Sequence, residues 1–271
     1  MNFQQKLWKG TAVLFRSLFP LILYIVVPGL LAAFGSLLRH FPGSMDSFLL
    51  ESGNFYQILG TLLCFFFFRK RAQKRGTTVE KETTIVYEGF DRKLALSYLW
   101  LGFFSALAVS AVLTLLPLPE VIRQSYQESS AAVFQRTDLV LAVINLLVLA
   151  PLVEEMIFRG YMLSELLRFF GEREAVYITS AVFALCHVDL LWMIYAFIMG
   201  LILCRTAIKK DNILYGIVLH GGFNLFSAVN LVFSGSAFLT DRVLIFLYGI
   251  TGVLSVLLIR RELLSREEWY L

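Results

Sequence analysis

Residues 151–162 read PLVEEMIFRGYM, from Pro151 to Met162, and set two glutamates and an arginine inside an apolar run that extends over about 138–166. In a helix that crosses a bilayer each such charge costs roughly 2.5–3.5 kcal/mol on insertion scales, unless it is paired or faces a wet cavity. The composition around the stretch argues that it does cross. Of 271 residues, 58% are hydrophobic and 16% charged, where soluble domains run near 45–50% and about 25%. Mean hydropathy is +0.72, and several apolar runs approach the ~20 residues that span about 30 Å of hydrocarbon. The fold class expected is all-α, a polytopic helical bundle in the membrane.

Working outward, eight spans fit the chain, at about 15–38, 52–68, 94–116, 138–166, 175–188, 190–205, 212–233 and 242–259. Lys and Arg accumulate on the cytoplasmic side of membrane proteins. With both termini cytoplasmic, nineteen of the 24 basic residues fall on that side. Arg39, Arg123, Arg136 and Arg242 then lie outside and Arg159 within a span. The stretch from Val176 to Cys204 admits either one tilted helix or two short ones turning near Val188, Asp189 and Leu190; the two-helix form keeps the later basic clusters inside. Three parts follow: residues 1–137, with three spans and a basic loop at 69–93; a core at 138–233; and residues 234–271, with the last span and a short tail. Pro117 to Thr137 reads as an outer loop with an interfacial helix. The first apolar run, after Lys6 and Lys9, reads as an uncleaved span rather than a signal peptide.

The net charge of +4 does not point to nucleic acid, because the basic residues sit in short loops beside apolar runs. Cys64, Cys186 and Cys204 lie in or beside apolar stretches, with neither a CxxC pair nor a Cys/His metal spacing. They read as packing residues. His40 lies in a loop, but His187 and His220 fall inside spans, where a lone histidine most often bonds helix to helix.

Glu155 and Arg159 are four residues apart, so they share a helix face with the acid on the N-terminal side, the favourable order. Glu154 is turned about 100° away and needs another reason to be there. One reading is a packing network; the other is a catalytic set with His187 and His220. Asn224 follows His220 at the same four-residue spacing, and Gly221 and Gly222 between them permit close approach of a neighbouring backbone. Phe183 precedes His187 by four and is expected to pack on its imidazole. At about 1.5 Å of rise per residue, Glu154 and His187 lie about 18 Å from the cytoplasmic ends of their spans and His220 about 12 Å. Three helices thus bring polar groups to one level.

These motifs, EExxxR at Glu154, Glu155 and Arg159, FxxxH at Phe183 and His187, and HxxxN at His220 and Asn224, resemble in order and depth the CAAX protease and bacteriocin-processing (CPBP, or Abi) family of intramembrane endopeptidases. The resemblance covers roughly Leu139 to Val232. It implies Glu154 as general base for a water, assisted by His187, with His220 and Asn224 binding the oxyanion and Glu155 with Arg159 bracing the first helix. The family has also been described as zinc-dependent, and Glu154, His187 and His220 would form the His2Glu ligand set. The metal-free form is favoured, because it gives His220 and Asn224 one shared task. The implied partners are the bilayer and a membrane-bound peptide or lipid-modified protein tail, with no nucleic acid. The expected location is a bacterial plasma membrane, with the site towards the cytoplasm. Two other classes compete. An ion-coupled transporter would carry matching polar sets in both halves, which this chain lacks; a non-catalytic immunity or scaffold protein would not need the intact motif set.

Overall fold

The computed structural model describes residues 3–38, 53–75, 90–134, 139–187, 189–233, 246–247, 249–254 and 257. Every regular element among the described residues is helical. The chain opens with α1 (Phe3–Leu38) and α2 (Gly53–Arg75). Next come α3 (Arg92–Leu115) and the shorter α4 (Glu120–Phe134). A continuous helix over 139–167, α5, alternates regular and wide turns: Leu139–Ile144, Asn145–Leu149, Ala150–Glu155, Met156–Leu163 and Ser164–Leu167, the second and fourth being π-helical. The last elements are α6 (Glu172–Leu185), α7 (Leu190–Lys210) and α8 (Ile213–Phe233).

By length and apolar character four described segments suffice to cross a membrane: Gly10–Leu37, Arg92–Val112, Val140–Leu167 and Leu190–Lys210. Phe55–Phe67 and Ile213–Val229 are shorter apolar helices. Helix α6 has 14 residues, about 21 Å of rise, and falls short of the hydrocarbon thickness. Half of the expected span at 242–259 lies outside the described residues. The exposed Ile22, Ile25, Leu30, Phe34, Phe66, Ile194 and Ile198 are the lipid-facing surface that the composition demanded.

Side-chain pairs fix how the helices run. Tyr56 lies against Gly35 and Gly60 against Pro28, so α1 and α2 are antiparallel. Helices α3 and α8 are parallel. The Tyr215 hydroxyl accepts from the Asp91 amide at 2.9 Å, Gly102 meets Leu219, and Phe103 meets Phe226. Here the backbones touch: a Cβ on Gly102 would overlap the Leu219 carbonyl oxygen, and one on Gly222 that of Leu99. Such contact is what glycine gives helix pairs in lipid, where association relies on van der Waals fit.

Helices α6 and α7 form the expected hairpin. Arg205 near the end of α7 pairs with Glu172 at the start of α6, and Ser180 lies against Gly200. Asp211, in the left-handed conformation (φ 46°, ψ 35°), ends α7, and the Asn212 side chain accepts from the Leu214 amide at 2.9 Å to start α8. Gly10 of α1 meets Phe169 just after α5. The starts of α1, α3, α6 and α8 and the ends of α2, α5 and α7 therefore share one end of the bundle. Among the described residues Arg92, Lys93, Arg168, Arg173, Arg205, Lys209 and Lys210 belong to that end.

Candidate active site

The site is built on α5, and Pro151 shapes it. Proline has no N–H to give. In a wide turn the amide of residue i pairs with the carbonyl of i−5, so Pro151 leaves the Leu146 carbonyl open. Asn224 Nδ2 donates to that oxygen at 2.8 Å. Three residues earlier, Gly221 sits so close that a Cβ would stand 3.2 Å from the Leu147 oxygen. A proline on one helix and HGGxN on another are thus two halves of a single helix crossing.

One turn further along α5, Glu155 Oε1 accepts from Arg159 Nη1 at 2.8 Å, and neither side chain touches solvent. The same oxygen lies 3.0 Å from His220 Nδ1. Arg159 Nη2 points to the Gly200 carbonyl at 3.4 Å, and its guanidinium stands 4.5 Å over the Phe183 ring. A buried ion pair offsets its desolvation only with good geometry and added hydrogen bonds; here α5, α7 and α8 all contribute. Among the described residues Glu155 Oε2 has no hydrogen-bond partner, and it faces Gly216, whose missing side chain leaves it room.

Glu154, the preceding residue, is placed differently. Its side chain is 20% exposed, and Oε2 stands 3.8 Å from His220 Nε2, beyond hydrogen-bond length. The His220 ring therefore has one nitrogen held by Glu155 and the other facing Glu154. His187 Nδ1 lies 2.9 Å from the Phe183 carbonyl; since a carbonyl only accepts, that nitrogen carries a proton and the neutral ring keeps Nε2 as its open acceptor. The Phe183 ring meets His187 at 4.8 Å and His220 at 5.8 Å between centroids, both edge to face. So Glu154, Glu155, Arg159, Phe183, His187 and His220 gather in one cluster, and Asn224 sits one helical turn beyond His220, on α5's backbone. Asn224 thus has a backbone bond that the shared oxyanion role did not anticipate.

Sequence reasoning missed three contributors. Tyr24 of α1 packs on the core that holds Val153, Ile157 and Phe183, so the first helix borders the site, and Cys186 is exposed beside His187, its Sγ 3.3 Å from the Val182 carbonyl. Asp189, buried just past His187, accepts from Leu191 N and Trp192 N at 2.9 and 3.2 Å and from Ser125 Oγ of α4 at 2.9 Å. Its signal was legible in part: an Asp before an apolar run is a helix N-cap. Among the described residues no three His, Cys, Asp or Glu side chains are placed to share a metal ion.

Residues 136–226 match the family described as type II CAAX prenyl endopeptidase, Rce1-like, and this stretch contains every residue of the cluster. The chain is also 34% identical over 84 residues to the UPF0177 protein YbdI of Lactococcus lactis subsp. lactis (strain IL1403), a match covering 30% of this chain and 44% of that protein. No solved structure matches.

Proposed function

We propose that this chain, whose residues 136–226 match the Rce1-like type II CAAX prenyl endopeptidase family, is an intramembrane endopeptidase acting on membrane-bound peptides or lipid-modified protein tails. The observation that carries the reading is the unequal treatment of two adjacent glutamates: Glu155 is sealed in an ion pair, while Glu154 is part-exposed and faces Nε2 of His220. A carboxylate kept at membrane depth without a close partner is costly, and its retention is best explained by chemistry.

In the reaction Glu154 takes a proton from a water as its oxygen attacks the scissile carbonyl carbon, with the open Nε2 of His187 holding that water. The carbonyl π electrons move onto oxygen. With Nδ1–H given to Glu155, His220 donates to the resulting oxyanion from Nε2 in its doubly protonated form, and the second Nδ2 hydrogen of Asn224, the one not given to Leu146, donates beside it. Glu154 then returns the proton to the leaving amine as the C–N bond breaks. Glu155 holds His220 by Nδ1, and Arg159 holds Glu155. In this reading every step rests on side chains, which gives His220 and Asn224 one shared task at the oxyanion. The end of the bundle that gathers the basic connections is assigned to the cytoplasm by the positive-inside rule, in a bacterial plasma membrane.

The test is cleavage of membrane-tethered peptides, prenylated and unmodified, by purified protein with and without strong chelator. Wild type should cleave in both conditions, and Glu154→Ala and His220→Ala should each lose activity. Abolition by chelator with restoration by zinc would overturn the metal-free mechanism. Wild-type rates in both variants would overturn the catalytic reading.

A further inference from the structure

His187 lies on the turn between α6 and α7, where a helix end alone would leave it free to swing. On one side it is tied to α6, through its amide to Ala184 O at 2.9 Å and through Nδ1 to Phe183 O. Two residues on, Asp189 has extended backbone (φ −80°, ψ 138°) and closes the first turn of α7. Its Oδ1 accepts from two amides, and its carbonyl accepts from Met193 N at 2.8 Å. Capping alone does not require burial, yet Asp189 is only 5% exposed. The cause is α4. Ser125 donates to Oδ2, and Tyr126 meets Trp192 edge to face at 6.4 Å, so a helix outside the catalytic core rests on the turn. Neither contact is used by the proposed chemistry.

We infer that Asp189, clasped by Ser125 of α4, is a positioning residue that fixes the His187 turn against the rest of the site. The carboxylate is the joint: one oxygen sets where α7 begins, the other docks α4, and His187 is suspended between that joint and the end of α6. The catalytic consequence rests on the proteolytic role proposed for His187; the mechanical claim does not.

Two readouts separate these. The first is the split between kcat and KM on a cleaved peptide. The second needs no substrate: Cys186 is the exposed cysteine beside His187, whereas Cys64 and Cys204 are buried, so the rate at which N-ethylmaleimide labels Cys186 in the purified folded protein reports how firmly the turn is held. Misplacing a reacting group by about 1 Å can cost on the order of 10²-fold in rate, so Asp189→Ala should lower kcat about ten- to a hundredfold with KM within about twofold. It should speed labelling at least severalfold. Ser125→Ala, which leaves the α7 cap intact, should move both readouts the same way by less. Asp189→Asn should restore most of both, since its amide oxygen still caps α7 and its Nδ2 can donate to Ser125. Unchanged labelling in Asp189→Ala and Ser125→Ala would overturn the inference, as would a change confined to KM. If wild type cleaves no peptide, the proteolytic reading fails and labelling alone decides: faster labelling upholds the clasp, unchanged labelling removes it.

Discussion

Arg159 and Glu155 are both fully buried, and each is the other's closest charge. Removing one partner of such a pair leaves a charge with nothing to offset its lost hydration, which costs about 3–5 kcal/mol. Arg159→Ala should therefore lower the melting temperature sharply in a fluorescence-detected unfolding assay in detergent; a variant melting with wild type would show that Glu155 finds another partner. Asn224 works on a smaller scale. Asn224→Ala leaves the Leu146 carbonyl unpaired, a penalty of about 1–3 kcal/mol, so it should lose stability as well as cleavage, whereas a purely oxyanion-binding residue would lose cleavage alone. The i, i+4 relation of Glu155 to Arg159 is legible in a string of letters because the helical period fixes it. The bond from Glu155 to His220 is not, because it joins residues 65 apart and depends on how α8 crosses α5.

At the scale of elements, the helices could be placed because lipid demands long apolar runs, and the two-helix form of 176–204 could be chosen because it keeps the basic clusters that follow it on the cytoplasmic side. The wide turns of α5 could not be read. Pro151 announces a disturbed helix, but whether the chain kinks, stops or widens depends on what accepts the freed carbonyl, and that is Asn224 on another helix. The α3–α8 contact is similar: Gly102 and Gly222 look like ordinary glycines until the parallel pairing puts a carbonyl against each. Overpacking a tight interface costs typically 1–3 kcal/mol, about the range expected here or beyond it because the obstacle is backbone. Gly222→Ala should therefore reduce the yield and melting temperature of folded protein. Gly29→Ala, where nothing lies within 4 Å, should leave both unchanged. Equal behaviour of the two would contradict the α3–α8 crossing.

For the whole molecule, helix contacts place the starts of α3, α6 and α8 at one end of the bundle, and positive charge predicts that this end is cytoplasmic. In a variant lacking its own cysteines, single cysteines at Arg92, Gly171 and Asn212 should react with a membrane-impermeant maleimide from one side only, and from the same side; a split result would break the hairpin of α6 and α7 as described. Within that frame the family pattern occupies residues 136–226, yet Tyr24 and Ser125, from outside it, reach the site or its supports. Motif reading finds the first group because their spacing is local, and passes over the second because nothing in their own neighbourhood marks them. The account turns on the division of labour between two neighbouring carboxylates, and the most direct measurement compares Glu154→Gln with Glu155→Gln for melting temperature and peptide cleavage. Glu154→Gln should melt with wild type and cleave nothing, while Glu155→Gln should melt well below it. Cleavage at the wild-type rate by Glu154→Gln, or a collapse of its stability to match Glu155→Gln, would contradict the account.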